Sequence, residues 1–243
     1  ASTVALRGAV DTAPGSDADE YRWRLIRLLE HTAPERTALL RTVAESEQVV
    51  DRTRALEQLL VLKPNDGALR AELEAVRSEQ GDWAALVELL ESSTPPSAEQ
   101  GLRVAQIRRD HLGDPLGASV AYRRALSLAP EQTQAFDGLC DALAAASEWR
   151  PLVEVLVEGW TSGREQASGL LQQAAVITEE RLQDAEGALR LYLDLYARDR
   201  GDLEASDAIA RLAAQLDAWE PATSAWESAT SEPGLPGAAA RRR

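Results

Sequence analysis

Trp83-Ala-Ala-Leu86-Val87-Glu88-Leu89-Leu90-Glu91 returns further on as Trp149-Arg-Pro-Leu152-Val153-Glu154-Val155-Leu156-Val157. In each copy Trp, Leu, Val and Leu stand at i, i+3, i+4 and i+7, which puts them on one stripe of an α-helix. A degenerate copy opens at Trp219, and a copy one residue shorter opens at Trp23. One such stripe cannot be buried by its own helix. A helix that recurs along a chain therefore implies stacked neighbours, a solenoid, and solenoids mostly serve as binding surfaces.

The recurrence extends beyond the tryptophan helix. Residues 55–83 align with 121–149 without a gap at an offset of 66, bringing Leu62 onto Leu128, Pro64 onto Pro130 and Leu73 onto Leu139. Residues 112–149 align with 182–219 at an offset of 70, with Ala118 on Ala188 and Tyr122 on Tyr192. Leu128 meets Arg198 and Phe136 meets Ser206, so the repeat is decayed. Four helices are expected in the middle unit, over 98–112, 115–129, 131–146 and 148–161. Asp114-Pro115 reads as an N-cap with proline at the first helical position, where its missing N–H is not needed. Pro130 closes the helix before it, and Ser147 is expected to cap the tryptophan helix. Four helices make two hairpins of about 35 residues each, a common α-solenoid unit.

Ala118-x3-Tyr122-x2-Ala125-x4-Pro130 resembles the second-helix half of the tetratricopeptide repeat, small-x3-aromatic-x2-small-x4-Pro. Ala188-x3-Tyr192-x2-Leu195 repeats it, with Arg200 in place of the proline. In the first-helix half, Phe136, Leu139, Cys140 and Leu143 sit where the family has Trp, Leu, Gly and Tyr, so Cys140 takes the small-residue position and Ala210 takes it one unit on. The resemblance spans about residues 34–229 and leaves other helical-hairpin repeats open, among them tryptophan-bearing relatives in RNA-processing scaffolds. It implies an all-α, right-handed solenoid of antiparallel hairpins, of about thirteen helices. It also implies that the first helix of each hairpin lines a concave face, which would carry Arg103, Asp137, Asp141, Gln173, Asp207 and Arg211 as partner-binding residues.

Composition supports helices: Ala, Leu, Glu, Gln and Arg dominate the 243 residues, and Phe occurs once. The net charge of −14 disfavours nucleic acid, because phosphate binding needs clustered positive charge. It promotes solubility and a preference for basic partners. Lys63 is the one lysine, read as genomic base composition of a bacterial-like, arginine-rich kind. No apolar run reaches the roughly 20 residues of a membrane helix. Ala1 to Glu20 lacks the basic start and apolar stretch of a signal peptide, and the absence of Met with a start at Ala1 suggests a fragment of a larger protein. The expected organisation is a flexible segment at 1–17, a solenoid over 18–229 and a flexible tail at 230–243 ending in Arg241-Arg242-Arg243.

Chemistry-bearing residues are sparse. Cys140 is the single cysteine, read as a packed small residue, which leaves no disulfide and no CxxC metal site. His31 and His111 sit near helix ends without HxxxH or HxxE spacing. Asp19-Glu20, Glu179-Glu180 and Asp199 with Asp202 read as solvated faces. Trp83 and Trp149 are expected in the core, whereas Trp160, before Thr161-Ser162-Gly163, is a candidate exposed contact. No P-loop, GxSxG, GxGxxG or HExxH occurs. The expectation is a non-catalytic protein-interaction or scaffolding module with no cofactor or metal, cytoplasmic by default with the periplasm left open. The rival readings are a spacer or self-associating segment of a larger protein and an all-helical enzyme.

Overall fold

A computed structural model describes residues 3–13, 15–30, 33–92, 95–164 and 167–231, and every described element is helical. It divides into two compact units, Ala1–Gly113 and Asp114–Arg243. The first holds α1 (Thr3–Thr12), α2 (Gly15–Leu28), α3 (Pro34–Ala44), α4 (Val49–Leu62), α5 (Gly67–Gln80), α6 (Trp83–Glu91) and α7 (Ala98–Asp110). The second holds α8 (Pro115–Leu128), α9 (Thr133–Ala145), α10 (Trp149–Thr161), α11 (Ala167–Glu180), α12 (Ala185–Arg198), α13 (Leu203–Leu216) and α14 (Trp219–Ser231). Short turns send each helix back along its predecessor, so each unit is a stack of antiparallel hairpins. Fourteen helices are described against the expected thirteen. The segment 1–17 contains α1, where Leu6 is buried and Arg7 pairs with Glu35 at 2.7 Å. His31 and the tail from residue 232, with its three arginines, lie outside the described residues.

The turns carry the repeat in their backbone. Gly81, Ser147 and Asp217 have φ of 69°, 59° and 52°, and each stands two residues before a tryptophan. A left-handed residue ends a helix and lets the next N–H reach back to a carbonyl five residues earlier. Asp82 bonds Arg77 at 3.0 Å, Glu148 bonds Leu143 at 2.9 Å and Ala218 bonds Ala213 at 3.0 Å. The expected capping role of Ser147 is thereby overturned: Ser147 turns the chain out of α9, and the N-cap residue of α10 is Glu148, whose side chain makes no capping hydrogen bond. Asp114 does cap α8, accepting from the Gly117 N–H at 2.8 Å, and Asp184 does the same for Gly187 at 2.8 Å.

The apolar stripes form the cores. Trp23, Ile26, Leu40, Leu56, Leu69 and Leu73 centre the first unit, and Leu171, Tyr192, Leu195, Ile209 and Leu212 centre a cluster in the second. Close approach around Tyr122 falls on a glycine that the sequence reading had not singled out. A Cβ on Gly138 would stand 2.5 Å from Cε1 of Tyr122, so Gly138 admits the aromatic ring. At the offset of 70, Tyr192 and Ala208 are both buried in one cluster. Gly159 gives Phe136 room in the same way.

Trp83 and Trp149 are half-buried, not core residues, while Leu86, Leu90, Leu152 and Leu156 beneath them are buried. Each indole is covered from the helix that follows. Trp83 stacks on His111 with centroids 3.8 Å apart and planes 11° from parallel. Trp149 lies under the Arg181 guanidinium, 5.2 Å from its centroid, a cation–π arrangement. Trp160, a candidate exposed contact in the sequence, is partly buried: it packs on the second core cluster with Arg198 5.7 Å from its ring. Nor is Asp19 solvated, since it is buried and bonded to Arg22 and Ser46, each at 2.6 Å.

Candidate functional site

Alternate helices are laced side to side by charge. Arg7 of α1 holds Glu35 of α3, Arg41 of α3 holds Glu72 of α5 at 3.1 Å, and Arg103 of α7 holds Glu74 of α5 at 2.7 Å. In the second unit Arg211 of α13 holds Glu179 of α11 at 3.0 Å, and Gln172 of α11 donates to Glu204 of α13 at 3.0 Å. Ion pairs this exposed are screened by water, so their role is register more than stability.

Between α9 and α11 no hydrogen bond or ion pair is made among the described residues. A cavity of about 460 Å³ opens at this seam, floored by Trp149, Leu152 and Leu156 of α10 and flanked by Val176 and Ile177. Asp141 and Gln173 stand at its rim beside Cys140. Asp137, one turn before Asp141, lies on the same face of α9. Asp137, Asp141 and Gln173 are exposed and make no hydrogen bond among the described residues.

Of the six expected partner-binding residues, the structure therefore brings Asp141 and Gln173 to one cavity, with Asp137 adjacent. Arg103 lies in the first unit, engaged by Glu74, and Arg211 is engaged by Glu179. Asp207 is exposed on α13, one turn before Arg211. The floor of the cavity was not among the expected site residues. Trp149 was read as core, and a half-covered tryptophan at a repeat position was the signal for it.

Electrostatics at the seam are set by the acids. Burial pushes the Cys140 thiol up to about 12, with Asp137 and Asp141 adding in the same direction. A thiol in that environment stays protonated at neutral pH and is a poor nucleophile. Tyr192 is raised above its ordinary value by burial and then by Glu179. Glu35 and Asp110 are lowered by hydrogen bonds from Arg7 and Arg109, which makes them ion-pair members with no rise toward a general acid's range. Among the described residues no group of three His, Cys, Asp or Glu could hold a metal, and no helix is long and apolar enough to cross a membrane. A second cavity of about 490 Å³, between the ends of α8 and α10, has Arg164 lying over Phe136 at 4.3 Å and mixed charges at its rim.

No protein-family model matches the chain, and no curated protein matches it. Among solved structures it is similar to MamA, at 14% identity over 65% of this chain and 92% of MamA, with a TM-score of 0.38. It is similar to YrrB, a TPR protein with an unusual peptide-binding site, at 14% identity over 77% of this chain and 96% of YrrB, with a TM-score of 0.40. A tetratricopeptide repeat protein from Parabacteroides merdae is 12% identical over 96% of this chain and 92% of its own, with a TM-score of 0.37. Likenesses at this level carry no information about ligand or partner. By its own contacts, Tyr122 against Gly138 and Tyr192 clustered with Ala208, the chain is a stack of antiparallel helical hairpins.

Proposed function

We propose that the chain is a non-catalytic protein-interaction module whose α9–α11 seam receives a partner segment with an apolar side chain next to an arginine or lysine. The single observation behind this reading is the unbridged seam: an apolar floor under a rim whose acids, among the described residues, make no ion pair. The apolar side chain would lie on Trp149, Leu152 and Leu156, and the partner's cation would meet Asp141 with Asp137 reinforcing it. Magnitudes divide the labour. Burying one Leu- or Phe-sized side chain contributes about 1.5–3 kcal/mol, whereas an exposed ion pair contributes about 0.2–1 kcal/mol. The apolar anchor therefore sets affinity, and the acids set orientation and encounter rate. Gln173, with both a donor and an acceptor, suits a peptide backbone.

The test is an array of acetylated octapeptides in which one apolar and one adjacent position are varied, probed with the full chain. Enrichment of Leu, Phe or Trp beside Arg or Lys, lost in Asp141→Asn and weakened in Asp137→Asn, is the expected result. Binding indifferent to the basic position, or unchanged in both variants, would sink the reading.

A further inference from the structure

The cavity of about 490 Å³ between the ends of α8 and α10 shares no lining residue with the α9–α11 seam. Leu126, Phe136, Leu139 and Val155 form its apolar wall. Gly159 belongs to that wall too, and a Cβ there would stand 2.6 Å from Cζ of Phe136. Four charged side chains line the same space: Arg123 from α8, Glu131 from the α8–α9 turn, Glu158 from α10 and Arg164 just past it. Arg164 lies on the Phe136 ring and donates to the Pro130 carbonyl, so neutral groups hold it. Arg123, Glu131 and Glu158 are exposed, and among the described residues none of the four is joined to an opposite charge. Elsewhere the chain behaves differently, since Arg7, Arg41, Arg103 and Arg211 each close on a glutamate of another helix.

We propose that this cavity binds a small zwitterion with an apolar body, of the size and chemistry of a free apolar dipeptide. Its volume falls within the roughly 300–1,000 Å³ of small-molecule sites. Charge chooses the occupant. Two guanidiniums and two carboxylates around one space cancel at long range. A simple anion therefore loses to Glu131 and Glu158 what it gains from Arg123 and Arg164, and a simple cation does the reverse. Only a ligand carrying both signs meets an opposite charge at each end. The body between its charges leaves water against Phe136, Leu139 and Val155. Arg123 and Glu158 come from two helices that each pack on α9, which suits charges at the two ends of a dipeptide.

The probe is the dipeptide Leu-Phe with free termini, titrated calorimetrically onto the full chain. It is compared with acetyl-Leu-Phe, which lacks the ammonium group, and with Leu-Phe-amide, which lacks the carboxylate. The expected result is saturable binding of Leu-Phe and an affinity about two- to fivefold lower for each capped form, the factor an exposed charge contact supplies. Arg123→Gln should shrink the penalty of the amide, and Glu158→Gln that of the acetyl group. Both variants should keep their helix content by circular dichroism, since both side chains are exposed. Asp141→Asn should leave all three affinities unchanged, which separates this cavity from the seam. Absence of saturable binding at millimolar Leu-Phe, equal affinity of the three ligands, or penalties unchanged in both variants overturns the proposal. Loss of Leu-Phe binding in Asp141→Asn would move the dipeptide to the seam and also overturn it.

Discussion

Arg211 on α13 donates to Glu179 on α11, with Nη2 3.0 Å from Oε2, and no equivalent pair joins α9 to α11 among the described residues. That contrast between neighbouring seams identifies the candidate site, and it can be engineered away. Gln173→Arg places a cation on the rim that Asp141 shares. The variant should gain about 0.2–1 kcal/mol in urea unfolding, the range for an exposed pair, and should lose binding to basic peptides. Retained peptide binding in a stabilised Gln173→Arg protein would show that the seam is not the binding surface.

The Tyr122–Gly138 contact leaves no room for a methyl group. Gly138→Ala should destabilise the chain by about 1–3 kcal/mol, the usual cost of overpacking a core, although alanine is the better helix former. Tyr122→Leu made in addition should recover part of the loss, because it removes the ring that clashes. Urea midpoints of the two single variants and the double variant check this; additive losses would show that the two positions are not coupled.

Ser147 holds φ at 59°, a conformation that costs an L-residue about 1–2 kcal/mol. Ser147→Gly should therefore raise stability, by roughly 0.5–1 kcal/mol once glycine's extra freedom in the unfolded chain is subtracted. Asp114→Ala should do the opposite and cost about 1 kcal/mol, since it removes a working N-cap. A loss of stability in Ser147→Gly would restore Ser147 as a cap.

Cys140 yields a pH prediction with a definite sign. Its folded pKa of about 12 lies above the ordinary 9.0, so its contribution to stability is complete below pH 9 and is lost as pH climbs toward 12. Cys140→Ala should remove this alkaline loss, narrowing the gap between unfolding midpoints at pH 8 and pH 10.5. In the native chain at pH 8, iodoacetamide should react at least about 100-fold more slowly than with a free cysteine, and urea should abolish the protection. Alkylation of the folded protein at the free-thiol rate would contradict the burial that raises the pKa.

The sequence by itself determined the helices and their spacing. The i, i+3, i+4, i+7 stripes from Trp83 and Trp149, the offsets of 66 and 70 and the Asp114-Pro115 start all survive in the structure. Each is encoded among residues within a few turns of one another, where helix period and capping chemistry act directly. The signal from Ser147 was also local, but serine serves both as cap and as turn residue, and only its φ in the folded chain decides between them. Tertiary structure decided the rest. Gly138 makes room for Tyr122 because the two meet across a helix–helix contact whose angle no local pattern states. Arg103 and Arg211 were as suitable for a partner as Asp141 until packing set Glu74 and Glu179 beside them. An exposed charge is available only if no opposite charge is brought to it from about thirty residues away, and that depends on how helices stack. The same dependence leaves Asp141 and Gln173, among the described residues, without a hydrogen-bond partner beside Trp149.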